Sequence, residues 1–250
     1  MSIIDTFDDC TDAIIHPHAI SPHIDGFPEI AVVAFSEQMI TALTEDYAAT
    51  RIDALQACVS VPVYRVNYAG QDMAIYCTTV GGPACAGLLE VMIAKGCRKF
   101  VFFGSCGVLD RDIAAQSLIV PTAAYRDEGT SYHYAPPSEY IEVMTARRLS
   151  AIISELGLPH VCGKTWTTDA IYRETRGNME QRKREGCISV EMECASLMAV
   201  AQFRHVAAYQ FLYAADSLTS LAWDPRTLGR LPRDDNARLL RIALEVAARV

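Results

Sequence analysis

Glu191 and Glu193 flank Met192 at the end of a β-branched run, Ile188-Ser189-Val190, and an apolar stretch from Cys194 to Met198 follows directly. A strand that only packs would finish in turn residues. This one finishes in two carboxylates set among apolar neighbours. Unpartnered charge is costly to bury, and an ionised carboxylate only accepts hydrogen bonds, so sugar hydroxyls are suitable donors for it. Two other places combine a reactive side chain with the end of an apolar run. Ser105 lies in Gly104-Ser105-Cys106-Gly107, whose small residues predict a tight ligand-facing turn, and Asp216 lies in Ala215-Asp216-Ser217.

Those residues need elements to position them. Continuous apolar runs over 30–35, 99–103 and 206–214 predict strands buried on both faces. Residues 61–68 and 73–80 predict a hairpin about the 70–72 turn. Shorter strands are expected at 117–121, 161–165 and 188–190. Helical spacing covers 36–47 with Ser36 as N-cap, 84–95 closed by Gly96, 138–156, 175–185, the stretch up to about residue 203, and 235–249. Residues 126–137 read as a long polar loop. Strands and helices alternate without repeats or linkers, which predicts a single α/β domain over 29–250 with a mixed, mostly parallel central sheet flanked by helices. Residues 1–28, polar and broken by Pro17, Pro22, Gly26 and Pro28, form a surface segment. Ligands in such sheets bind beyond the carboxyl ends of strands, where Ser105, the glutamate pair and Asp216 all fall.

Composition narrows the function. A net charge of −8 on 250 residues lacks the basic footprint of a general nucleic-acid binder. No run approaches the roughly 18 apolar residues of a membrane span. The N-terminal segment, with Asp5, Asp8, Asp9 and Asp12, is too acidic for a signal peptide, so a cytoplasmic location is expected. The nine cysteines include no Cys-x-x-Cys pair and do not read as a disulfide framework. Cys58, Cys77, Cys85, Cys97, Cys162, Cys187 and Cys194 are expected to be small buried hydrophobes. The six histidines form no metal-binding spacing, and no metal is expected.

The succession Val80-Gly81-Gly82-Pro83, Gly104-Ser105-Cys106-Gly107, Val190-Glu191-Met192-Glu193 and Ala215-Asp216-Ser217 resembles the nucleoside phosphorylase superfamily, across residues 29–249. That superfamily includes purine nucleoside phosphorylases, uridine phosphorylases and related nucleosidases. The resemblance implies chemistry at ribose C1′, with inorganic phosphate as co-substrate and no cofactor. Glu193, with Glu191 beside it, would bind ribose hydroxyls, and Met192 would pack on the sugar or base. Asp216 matches the acid that protonates a departing purine, though it also suits a cap after its strand. Ile171 and Tyr172 fall where the family lines the base pocket, and a core role fits them as well. Ser105 with Gly104 would face the nucleophile.

The sequence departs from the family at the phosphate. The family's Gly-Asp-Pro-x-Arg turn is replaced by Ala34-Phe35-Ser36-Glu37-Gln38-Met39, and its phosphate-binding arginine by Phe102. Losing two guanidinium forks removes charge-assisted binding for a phosphate dianion. Arg51, Arg65 or Arg126, from this chain or a neighbour, are the candidate replacements. Phosphorolysis of a purine nucleoside is the first expectation. Hydrolysis, with Glu37 as candidate base for water, is the alternative, and a non-catalytic nucleoside- or base-binding protein is the third reading. The resemblance also implies a homo-oligomer built from dimers, extending to a hexamer, with His16, His18 and His23 as candidates to reach a partner's site.

Overall fold

A computed structural model describes residues 2–56, 59–219 and 222–250. The β-strands in chain order are β1 (Ile30–Ala34), β2 (Thr50–Gln56), β3 (Ser60–Tyr68), β4 (Gln71–Cys77), β5 (Lys99–Val108), β6 (Leu118–Asp127), β7 (Tyr140–Glu142), β8 (His160–Thr168), β9 (Cys187–Glu191) and β10 (Ala207–Ser217). The α-helices are α1 (Pro17–Ile20), α2 (Glu37–Asp46), α3 (Gly82–Lys95), α4 (Ala146–Glu155), α5 (Arg176–Arg184), α6 (Cys194–Phe203) and α7 (Arg233–Ala247).

The ten strands form one mixed sheet with an unusual closure. Strand β5 pairs with β9, β9 with β8, β8 with β6, β6 with β10, and β10 returns to β5. These five make a ring, and β1, β4, β3 and β2 extend the sheet outward from β5. The two longest ladders, β10 with β5 and β6 with β8, are parallel. Every residue of β1 is buried, as its apolar run requires. Helices α2 and α7 cover β1, while α3 packs on α6, which in turn covers β6, β7, β8 and β10.

Several expectations move. Gly104–Gly107 is not a turn: β5 runs through it to Val108, paired to β10 on one side and β9 on the other. The glycines serve close approach, since a Cβ on Gly104 would lie 2.9 Å from Phe35 and one on Gly107 2.7 Å from Leu218. The helix expected from 138 begins only at Ala146. Before it, buried Ile141 and Val143 alternate with more exposed neighbours, the period of a strand, and β7 pairs with β6. Strand β6 passes through Pro121, which an irregularity between Pro121 and Ala124 accommodates. Strand β2 leaves no sequence signal, because only Leu55 of it is buried.

Among the cysteines, Cys85, Cys97, Cys187 and Cys194 are buried and Cys77 is half-buried. Cys162 is exposed, since the first residues of β8 lie at the surface, and its thiol lies 3.5 Å from the Ser150 hydroxyl. Cys58 lies outside the described residues. Most of residues 2–26 are exposed, and Phe27 enters the core. Among the described residues, no helix is long and apolar enough to cross a membrane, and no His, Cys, Asp and Glu cluster could hold a metal.

Candidate active site

The glutamate pair survives burial because it sits on the N-terminus of α6. Glu191 Oε2 accepts the backbone N–H groups of Glu193 (2.7 Å) and Cys194 (2.6 Å), and Oε1 accepts the Thr167 hydroxyl at 2.5 Å. Thr167 in turn accepts the Ala195 amide, so β8, β9 and α6 are joined at one point. The first amides of a helix lack intrahelical partners and favour a negative charge. Glu191 therefore acts as an anchor as well as a wall of the site. Among the described residues, no arginine pairs with either glutamate.

Glu193 is the helix N-cap and is 7% exposed. Its Oε1 accepts the Gly81 amide at 2.7 Å. A carboxylate offers about four acceptor positions, so the group keeps capacity for donors in the cavity. Burial raises its pKa first, and the charge of Glu191 raises it further. Burial also raises Glu191, but the threonine and two amide donors oppose that shift. Of the two, Glu191 is the better held as an anion.

Asp216 ends β10 beside an irregularity in its pairing with β5. It is buried, and Oδ2 accepts the indole N–H of Trp223 at 2.7 Å. Burial raises its pKa, while Trp223 and Arg226 pull the other way. Glu174 shares the cavity and is pushed up to about 7 by burial and the charge of Asp216.

These groups line one cavity of about 580 Å³. It brings together the residues that the sequence assigned to the sugar, the base and the nucleophile: Glu191, Met192 and Glu193 from the β9–α6 junction, Gly104 and Ser105 from β5, Asp216 from β10, and Ile171 and Tyr172 from a short 3-10 turn. Tyr172 is 95% exposed and Ile171 half-exposed, so both stand at the rim and not in the core. Ser105 lies in register with Tyr213, whose pKa burial raises and the Ser105 side chain lowers.

The part of the cavity expected to face phosphate is apolar. Phe35 lines the cavity against Gly104, and Phe102 is fully buried. Among the described residues, no lysine or arginine lines the cavity. Arg126 is buried elsewhere, bonded to Ser131, Ser138 and the carbonyls of Ala135 and Pro136, and is not available as a substitute. Arg65 is engaged with Gly26 and Asp72, and Arg51 projects from β2. Glu37 is exposed at the start of α2 and does not line the cavity.

The cavity is also lined by Phe35, Glu174, Gln210 and Trp223, to which the sequence assigned no part in a site. Only Gln210 had a signal, as the one strongly polar residue within the apolar run of β10 before Asp216.

A family model described as the phosphorylase superfamily matches residues 29–250. The chain belongs to the phosphorylase superfamily. Relatives of this superfamily member include the guanosine phosphorylase of Halorubrum lacusprofundi, 28% identical over 56% of this chain and 59% of that protein. The uridine phosphorylase of Escherichia coli is 25% identical over 60% of this chain and 70% of its own length. A DeoD-type purine nucleoside phosphorylase of Caldanaerobacter subterraneus is 25% identical over 72% and 78%. The solved structure of purine nucleoside phosphorylase from Toxoplasma gondii, in complex with immucillin-H, superposes with a TM-score of 0.75. It covers 92% of this chain and 95% of its own, and at 18% identity it shows the shared fold. The α/β architecture expected from the sequence is that fold, and the relatives are named as phosphorylases, a class of pentosyl-transferring enzymes.

Proposed function

We propose that this protein cleaves the N-glycosidic bond of a nucleoside, a purine nucleoside by preference, and transfers the ribosyl group to phosphate with release of the free base. One observation carries the reading: a single cavity is lined by buried Glu193 and buried Asp216, among four carboxyl-bearing residues and, among the described residues, no lysine or arginine. Positive charge develops at C1′ as the bond breaks, and fixed negative groups around it lower the barrier. Glu193 is suited to grip the sugar hydroxyls. Asp216, raised by burial, is suited to give a proton to the base, whose nitrogen would otherwise leave as an anion. Tyr172 and Trp223 at the rim suit a flat aromatic base. The relatives named as phosphorylases support phosphate as the acceptor, and the reading needs no cofactor.

A second reading, hydrolysis, has its own support in Phe35, Phe102 and the absence of a lining lysine or arginine among the described residues. The proposed setting is a reducing compartment such as the cytoplasm, which the free cysteines of the described residues suit. A homo-oligomer is part of the proposal, and size-exclusion chromatography with light scattering checks it.

The deciding assay is a panel of inosine, guanosine, adenosine and uridine, with and without phosphate. Phosphate-dependent base release with ribose 1-phosphate as product is expected. Release indifferent to phosphate, with free ribose, selects hydrolysis, and no release from any member would overturn glycosidic cleavage.

A further inference from the structure

Gln210 is fully buried on β10, and both its amide oxygen and its amide nitrogen lack any hydrogen-bond partner among the described residues. Buried polar groups are normally satisfied, and one left bare costs about 1–3 kcal/mol. This residue leaves two such atoms bare, and it lines the cavity. The missing partner therefore belongs to whatever the cavity takes in.

Its place along the strand says which part of the ligand that is. Gln210 pairs with Phe102, Leu212 with Gly104, and Asp216 with Gly107, so the cavity follows this ladder. Along β10 the lining residues run from Gln210, the first, to Asp216, the last. Displacement at a sugar carbon brings the incoming atom in opposite the departing one. If the base leaves beside Asp216, the acceptor enters from the side of Gln210.

We propose that Gln210 is the positioning residue for the oxygen nucleophile, in a nucleophile subsite built around a neutral amide. The proposal rests on the glycosidic reading of the cavity. A primary amide offers both donors and an acceptor. It matches a nucleophile that carries both an oxygen lone pair and an O–H, on one atom in water and on two different oxygens in hydrogen phosphate. The amide N–H groups hold the attacking oxygen and the amide oxygen takes the O–H. The oxygen lone pair forms the bond to C1′, and the C1′–N electron pair leaves with the base, which takes a proton from Asp216. Hydrogen phosphate attacks through an unprotonated oxygen and keeps its proton. Water, once bonded, releases one proton to solvent, and Asp216 regains its proton from solvent.

The test compares wild type with Gln210→Met, similar in size and without the amide, using the best-cleaved nucleoside of the panel in parallel arms with and without phosphate. Base release should fall roughly tenfold or more in kcat with the nucleoside KM unchanged, about the effect of one lost hydrogen bond in the transition state. In the phosphate arm the KM for phosphate should rise, and in the water arm the partition toward added methanol should change. Because two unsatisfied atoms are removed, Tm should hold or rise as activity falls, which a packing role for Gln210 would not produce. Unchanged kcat and acceptor preference in a folded variant would overturn the assignment while leaving the glycosidic reading intact. An inactive wild type would instead strike that reading itself. Gln210→Asn, the shorter amide, guards against a folding artefact, and partial recovery over the methionine variant is expected.

Discussion

The backbone amide of Gly81 donates to Glu193 Oε1 at 2.7 Å, joining two residues 112 positions apart in the chain. Both are helix N-caps, Gly81 for α3 and Glu193 for α6. Gly81 holds φ +100°, a conformation that other residues adopt only under strain, although nothing lies within 4 Å of where its Cβ would be. Gly81→Ala should therefore act through the backbone alone, costing roughly 1–3 kcal/mol. Thermal denaturation should show the loss, and the KM for nucleoside should rise as Glu193 loses its fixed orientation.

The two glutamates should separate by what their loss affects. Glu193→Gln should fold normally and lose roughly a hundredfold in kcat, as hydrogen bonds to a charged group are worth about 1.5–3 kcal/mol. Glu191→Ala should lose stability, because it strips a helix N-terminus of its acceptor, at a cost of roughly 1–2 kcal/mol for the cap alone. In Glu191→Gln the neighbouring negative charge is gone. The raised pKa of Glu193 should then fall, moving the acid limb of the pH–rate profile to lower pH. An acid limb that stays in place would show that Glu193 does not set it.

Glu174 gives a pH signature in stability. Its pKa rises from 4.5 to about 7 on folding, so between those values the folded state holds a proton that the unfolded chain has released. Stability should consequently decline as pH rises through that window. Glu174→Gln removes the titration. Its Tm should exceed wild type at about pH 8 and draw level near pH 4.5, as calorimetry across the range would show.

Trp223→Phe should alter Asp216, the acid of the proposed reaction. The indole N–H lowers the pKa of Asp216, so removing it should raise that pKa and carry the basic limb of the base-release profile upward. The sequence has two tryptophans. Trp166 is buried on Asp127, whereas Trp223 is 60% exposed at the cavity. Nucleoside should perturb the emission of the wild-type protein and leave that of the Trp223→Phe variant nearly unchanged.

The sequence was legible where local pattern and burial agreed. Ile30–Ala34 is buried on both faces and reads as such, and the carboxylates at 191 and 193 stand out against apolar neighbours. Gly104–Gly107 misled because small residues serve both turns and crowded strands, and only the approach of Phe35 and Leu218 tells them apart. The part played by Glu191 was hidden for another reason. Its partners are backbone amides and Thr167, and a helix start is visible in sequence while the direction of a side chain is not. Glu174 and Trp223 belong to rim segments whose meeting is set by strand order, with no local pattern to announce it.

The ring of β5, β9, β8, β6 and β10 constrains how such a site can change over evolutionary time. Glu191 and Asp216 both end strands of that ring. Moving one strand would disturb pairing on both its sides and travel round the circuit to the other. The separation of Glu191 and Asp216 is thus nearly fixed by the architecture. New substrates must be accommodated through what is free to vary, namely the 3-10 turn Ile171–Arg173, the segment bearing Trp223, and side chains such as Phe35 and Gln210 that face inward without holding the ring together.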